Sequence, residues 1–261
     1  MTSLLISSRR LLRPKLLGHR QQLLRGSTMR FGIRRNFYSR VGFKSFVQFL
    51  CAALLVTPAS GSEQETGWQL RKEQNGISVF TREQQGSDFA AVRAEMILED
   101  VRLSSLVALI DDPSACGLLE ARCAESYTVE RMSATEQFVY RHNDMPFPIK
   151  DRDVVMHFVW TQDPMTRIVE LDNRNIDGVL PENPKRIRLP SAVSGWRFEP
   201  LGQGRVLASS EGHLEPGASL PAWLLNSLLV DAPFNTMQAV AAAVRLPRYR
   251  DARLDFIVEL E

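Results

Sequence analysis

Residues 1–61 contain no aspartate or glutamate, although they hold 11 of the chain's 32 lysine and arginine residues. Everything acidic lies beyond them. Residues 62–261 therefore carry 21 basic against 30 acidic side chains, a formal charge of −9 where the whole chain has +2. A domain of that sign has no long-range attraction for phosphate backbones, which argues against nucleic acid as a partner. Long apolar runs are missing too. The most hydrophobic stretch, Phe46 to Val56, is 11 residues long with Gln48 inside it, against roughly 20 for a helix that crosses a bilayer. Cysteine is scarce, three in 261 residues. None stands in a CxxC pair or beside histidine at zinc-ligand spacing, so we expect no metal and no cofactor.

The acid-free segment has the layout of an export signal. Basic residues run through Lys44, the apolar stretch follows, and Thr57-Pro58-Ala59-Ser60-Gly61 supplies a small-residue cleavage site. We expect 1–61 to be a leader and the mature chain to begin between Ser60 and Glu63. Forty residues ahead of the apolar stretch are long for an n-region, which points to a mis-assigned start, with Met29 or a non-Met start at Val41 as the true one. Processing would place the mature domain, 62–261, in the periplasm of a Gram-negative-like cell or outside it. An organelle transit peptide and a retained membrane anchor are the alternatives. Cys51 leaves with the leader. Cys116 and Cys123 remain, and either one disulfide or two buried thiols would accommodate them.

The mature part, without repeats or low-complexity tracts, suits a single domain. Alternation predicts strands over 77–82 and 89–98, the second with Ala90, Val92, Ala94, Met96 and Leu98 on one apolar face. Asp100 is placed to cap a helix over 101–110, with a shorter turn through Leu119. Further strands are expected over 121–131, 136–143, 153–161, 167–175, 192–199 and 205–214. Leu220-Pro221 then opens a long helix to about Val244. Only that helix can cover so long an antiparallel sheet, which makes the fold class α+β.

Catalytic motifs are absent: no GxSxG, GxGxxG, Walker A or HExxH occurs. His142, His157 and His213 lack second ligands at metal spacing and are expected as strand residues. The acidic pairs Asp111-Asp112 and Asp151/Asp153 adjoin Pro or Arg, where capping and ion pairing explain them. We assign no catalytic residue. Arg152, between Asp151 and Asp153 behind the corner Pro146-Phe147-Pro148, is expected to form a structural ion pair with a nearby carboxylate.

Three segments resemble the START family of steroidogenic acute regulatory protein-related lipid transfer domains. They are Pro146-Phe147-Pro148-Ile149-Lys150-Asp151-Arg152-Asp153, then Ser219-Leu220-Pro221-Ala222-Trp223-Leu224-Leu225-Asn226 with Asp231-Ala232-Pro233-Phe234, and the opening Trp68…Asn75-Gly76-Ile77-Ser78-Val79-Phe80. The resemblance spans roughly residues 68 to 248 and implies a helix-grip fold: a curved antiparallel sheet wrapped around the C-terminal helix, with a lipid between them.

The residues fit that implication. Along 205–214, Val206, Ala208, Ser210, Gly212 and Leu214 share a face and are mostly small. Bulky walls would come from Trp196, Phe198, Met156, Phe158 and Trp160, with Val92, Ala94 and Met96 beside them. Leu224, Leu228, Phe234 and Met237 would close the space from the helix. Taken alone, this pattern is explained more simply by an ordinary filled core. With the resemblance we expect a dry, apolar cavity. The expected ligand is a sterol, phospholipid or similar lipid, bound, with or without onward transfer, by a monomer with transient membrane contact. The alternative is a helix-grip cyclase or chaperone acting on a polyketide-like or other apolar molecule. A cyclase needs an acid or base aimed inward, and only His157, Arg167 and His213 are conceivable. Pro233 should kink the helix, and 215–219 should hinge it so that it gates the cavity.

Overall fold

The computed structural model describes residues 67–260, so the expected leader over 1–61, the expected cleavage site, Cys51 and both alternative start positions lie outside the described residues. Asn75 and Gly76 both adopt positive φ, 54° and 73°. That pair makes the two-residue turn whose twist matches a right-handed hairpin. It joins β1 (Gln69–Gln74) to β2 (Ile77–Arg82), with Gln74 opposite Ile77. β1 was not anticipated, because its side chains are nearly all exposed and leave no alternation to read.

Beyond β3 (Ala91–Leu98) come the helix α1 (Leu103–Ile110), a 3-10 turn at Pro113–Ala115 and the short α2 (Cys116–Leu119). The strands β4 (Cys123–Arg131), β5 (Glu136–Asn143), β6 (Arg152–Gln162), β7 (Val169–Asn175), β8 (Ile187–Arg188), β9 (Ser191–Gly202) and β10 (Arg205–Glu215) follow. All but one pair antiparallel, in the spatial order β1-β2-β3-β10-β9-β7-β6-β5-β4, while the two-residue β8 lies parallel to β6. β7 and β9 approach closely at Gly195, where a Cβ would lie 2.7 Å from the Leu171 carbonyl oxygen.

The sheet's inner face is covered by α3 (Ala222–Asn226), a π-helical stretch at Ser227–Asp231 and α4 (Ala232–Ala243), which run on as one helix. Phe234 and Met237 pack against Ile77, Val79 and Ala94. Val240, Ala243 and Val244 join Leu98, Leu106, Trp160 and Phe198 in the larger core. This is the α+β helix-grip arrangement. The expected disruption at Pro233 takes the form of the π stretch. Pro233 has no N–H to donate, so the helix widens by one residue before it, and Ala232 N–H reaches back to the Ser227 carbonyl.

Two local expectations are corrected. Asp100 does not cap α1: it sits in a turn at φ 54°. The Leu103 and Ser104 N–H groups donate instead to the Glu259 carboxylate, at 2.8 and 3.0 Å. Nor does Arg152 form an ion pair among the described residues. It is buried, its Nη1 donates to the Lys150 carbonyl and its Nε has no partner. Burial pulls its pKa below the usual guanidinium value. Asp153 is held by Arg188, Nε to Oδ1 at 2.9 Å, with both side chains at most 9% exposed. An ion pair was expected here for Arg152 with an unspecified nearby carboxylate, and the buried pair that forms is instead Arg188 with Asp153. Arg188 comes from β8, and the β6–β8 pairing that delivers it leaves no mark on the sequence around residue 152.

Candidate functional site

The inner face of an antiparallel strand collects every second residue, and on β10 that set runs Val206, Ala208, Ser210, Gly212, Leu214. Val206 and Ala208 are buried in the core. From Ser210 onward the inner positions, Ser210, Gly212 and Leu214, border a cavity. Its larger lobe, about 620 Å³, lies between the sheet, the 112–122 segment and the helix from Ser227 to Met237. A smaller lobe of about 200 Å³ continues toward Phe89, Leu189 and Leu220. Val92, Asn173, Ser194, Gly212 and Leu228 border both.

Of the residues expected to line the cavity, Val92, Ala94, Phe158, Trp196, Ser210, Leu228 and Met237 line the larger lobe. Val92, Met156 and Leu228 line the smaller. Met96, Trp160, Phe198, Ala208, Leu224 and Phe234 line neither. The reason is position along the strands or helix, not face. Trp160, Phe198 and Ala208 are buried in the larger core, with Met96 packed against it. Phe234 fills the smaller core cluster, and Leu224 is fully buried.

The cavity also holds polar groups that the sequence did not advertise. Arg141 borders both lobes, and its Nη1 donates to Glu120 Oε1 at 2.7 Å. Its parity with the buried Gln137 and Val139 was the available signal, since a charged residue on a strand is ordinarily read as outward. Glu120 is positioned by the disulfide between Cys116 and Cys123, which resolves the open question about these cysteines. Within that staple, Glu120 N–H donates to the Cys116 carbonyl and Cys123 N–H to that of Glu120, at 2.8 and 2.9 Å. Asn173, 8% exposed, donates from Nδ2 to Ser194 Oγ at 3.1 Å, and its Oδ1 has no partner.

Of His142, His157 and His213, one borders the cavity. His157 is held by Glu136 at 2.7 Å on the outer face. His213 borders the rim of the smaller lobe, where its Nε2 lies 3.1 Å from Ser87 Oγ and 3.2 Å from the Phe89 carbonyl oxygen. Arg167 ends a turn at φ 62° and lines neither lobe. His142, on the opposite face of β5 from Arg141, has Nε2 3.2 Å from Asp151 Oδ2 and 3.4 Å from Asp144 Oδ1. These three offer ligand atoms within 4.8 Å of one another. Asp151 is held below the usual carboxylate range, chiefly by the Met145 N–H, with help from His142 and Arg186. With Arg186 contributing positive charge, we read the group as an ion-pair cluster.

Comparison with known proteins gives the same picture. A family model described as the START domain matches residues 51–248. The chain is 31% identical over 203 residues to an uncharacterised protein of Pseudomonas aeruginosa, covering 77% of this chain and 98% of that one. It is 24% identical over 200 residues to human START domain-containing protein 10, covering 75% of this chain and 67% of the relative. Among solved structures, a fragment of a STAR-related lipid transfer protein from Xanthomonas axonopodis superposes with a TM-score of 0.62 at 29% identity, over 69% of this chain and 99% of the fragment. By fold, by cavity and by sequence, the chain belongs to the START family.

Proposed function

We propose that the protein is an exported carrier that encloses one lipid or similar hydrophobic molecule between its C-terminal helix and its sheet, and performs no covalent chemistry on it. The observation that carries this is the cavity itself. A volume of about 620 Å³ falls in the range of sites for small organic ligands, and small side chains at Ala94, Ser194, Ser210 and Gly212 keep it open. Apolar walls from Val92, Phe158, Trp196 and Met237 favour an apolar guest, and the Arg141–Glu120 pair offers one polar anchor. Its cation is already neutralised by Glu120. The cavity then has a polar end and apolar walls, which suits an amphiphile.

Export follows from the leader over 1–61 and is supported by the disulfide, since such bonds persist in oxidising compartments. The π stretch and the 215–219 segment give the helix a means of lifting away from the sheet while the strands stay paired. The test is organic extraction of the protein purified from its native host, followed by mass spectrometry. One lipid class in near-stoichiometric amount is expected. A filled core that yields no extractable molecule would overturn the proposal. N-terminal sequencing of the same sample should find a start between Ser60 and Glu63, and an intact Met1 would remove the export part.

A further inference from the structure

Seven buried side-chain nitrogen or oxygen atoms lack a hydrogen-bond partner among the described residues. Three of them, Arg141 Nε, Asn143 Oδ1 and Asn173 Oδ1, belong to residues that border the smaller lobe. A buried polar atom left unpaired is costly, so a protein retains several around one space when something bound there completes them. They come from two strands, β5 and β7, brought to one end of the cavity by the registers of β5 with β6 and of β6 with β7.

The chemistry of the three atoms restricts what completes them. Arg141 Nε is a donor, and the two amide oxygens are acceptors. A phosphate diester accepts only and cannot satisfy either amide oxygen. A quaternary ammonium has no N–H at all. A carboxylate or phosphate would also have to compete with Glu120 for the guanidinium, which is already paired at 2.7 Å. A hydroxyl both donates and accepts. It also suits an amide turned by half a revolution, when oxygen and NH2 exchange places. The remaining wall of the lobe is apolar, from Val92, Met156, Leu189, Leu225 and Leu229.

Resting on the carrier reading above, we infer that the smaller lobe receives the head of a neutral lipid bearing more than one hydroxyl, a glycerol-type head, and that Asn173 and Asn143 select it over ester-only and anionic lipids. The acyl portion then occupies the larger lobe under the helix.

The test uses delipidated mature protein and three probes with one oleoyl chain each: 1-monooleoylglycerol, methyl oleate and oleoyl lysophosphatidic acid. Direct binding should favour 1-monooleoylglycerol about tenfold over each of the others, the scale of one or two buried hydrogen bonds completed. Asn173→Leu should bring 1-monooleoylglycerol down to the methyl oleate level and leave methyl oleate unchanged. Asn143→Leu, on a different strand, should act in the same direction, and it keeps the test decisive if Asn173→Leu fails to fold. Equal binding of the glycerol lipid and the ester, or tighter binding of the phosphate lipid, would overturn the inference and leave the carrier reading standing. Equal weakening of the glycerol lipid and the ester by both variants would reduce the asparagines to a structural role and overturn it as well. Binding of none of the three would overturn the inference together with the reading beneath it.

Discussion

The same four strands, β6, β7, β9 and β10, are filled at one end and hollow at the other. At the filled end Trp160, Val169, Leu171, Phe198 and Ala208 are buried together against α1 and the end of α4. A few residues along each strand, the inner positions become Met156, Asn173, Ser194 and Ser210, which border the cavity. Polar groups follow the same division. Gln137, fully buried near the filled end, has both ends of its amide satisfied, accepting from Thr128 and donating to Asp111, which also accepts from Trp160 Nε1. Asn173, also buried, has an oxygen with no partner among the described residues. The backbone is continuous through both ends, so side-chain size and satisfaction distinguish core from cavity here.

Substitution should separate the two ends most clearly at Phe198 and Ser210. Phe198→Ala, in the filled end, should cost about 3 to 5 kcal/mol. Ser210→Leu should change stability by less than about 1 kcal/mol, because it grows into space, and should abolish lipid capture. Urea denaturation with a lipid-capture assay reads both effects. A loss of about 3 kcal/mol at Ser210 would mean that the hollow end is filled after all.

Near the edge of the hollow end, Arg188→Ala strands the Asp153 carboxylate and should cost about 3 to 5 kcal/mol. Arg152→Ala, which breaks no ion pair, should cost clearly less in the same denaturation series. Equal losses would show that Arg152 has a carboxylate partner in solution.

Replacing both Cys116 and Cys123 by serine opens a short loop and should cost about 2 kcal/mol by loop entropy. Since the loop carries Glu120, lipid affinity should fall as well. Unchanged affinity would free Arg141 from its dependence on that staple.

The smallest effect is expected at the filled end's rim, where Tyr249 donates to Asp112 Oδ2 at 2.6 Å. Tyr249→Phe should cost about 1 to 2 kcal/mol near neutrality. Burial and the neighbouring Asp112 raise the Tyr249 pKa. Its contribution is therefore complete below the unfolded value of about 10 and is lost as pH rises through the higher folded value. For Asp112 burial alone would raise the pKa, but hydrogen bonds from Ser114 and Tyr249 outweigh it and hold the carboxyl low. That contribution is present above about pH 4 and is lost as pH falls through the folded value. Melting curves of the variant should be flatter than wild type on both limbs, and parallel curves would contradict the linkage.

The succession of most strands along the chain and the C-terminal helix were legible because alternation and turn residues act within a few positions. Features set by distant partners were not. Glu259 caps α1 from 156 residues away, and Arg188 reaches Asp153 from another strand. The cavity was half legible. Val92, Ser210 and Trp196 could be read from parity and size, but parity does not say how far along a strand the filled end extends. Trp160 and Phe198 were therefore assigned to a wall when they belong to the core. The inward Arg141, Asn143 and Asn173 were missed because polar residues on strands are usually solvated.

The division between filled and hollow ends is tested most directly by two of the protein's own tryptophans. Trp196 lines the larger lobe and Trp160 is buried beyond it. In variants that keep one tryptophan each, with phenylalanine at the other three positions, a lipid with a brominated acyl chain should strongly quench Trp196 and leave Trp160 nearly unchanged. Quenching of both to the same extent, or of neither while lipid is bound, would contradict the placement of the ligand in this cavity.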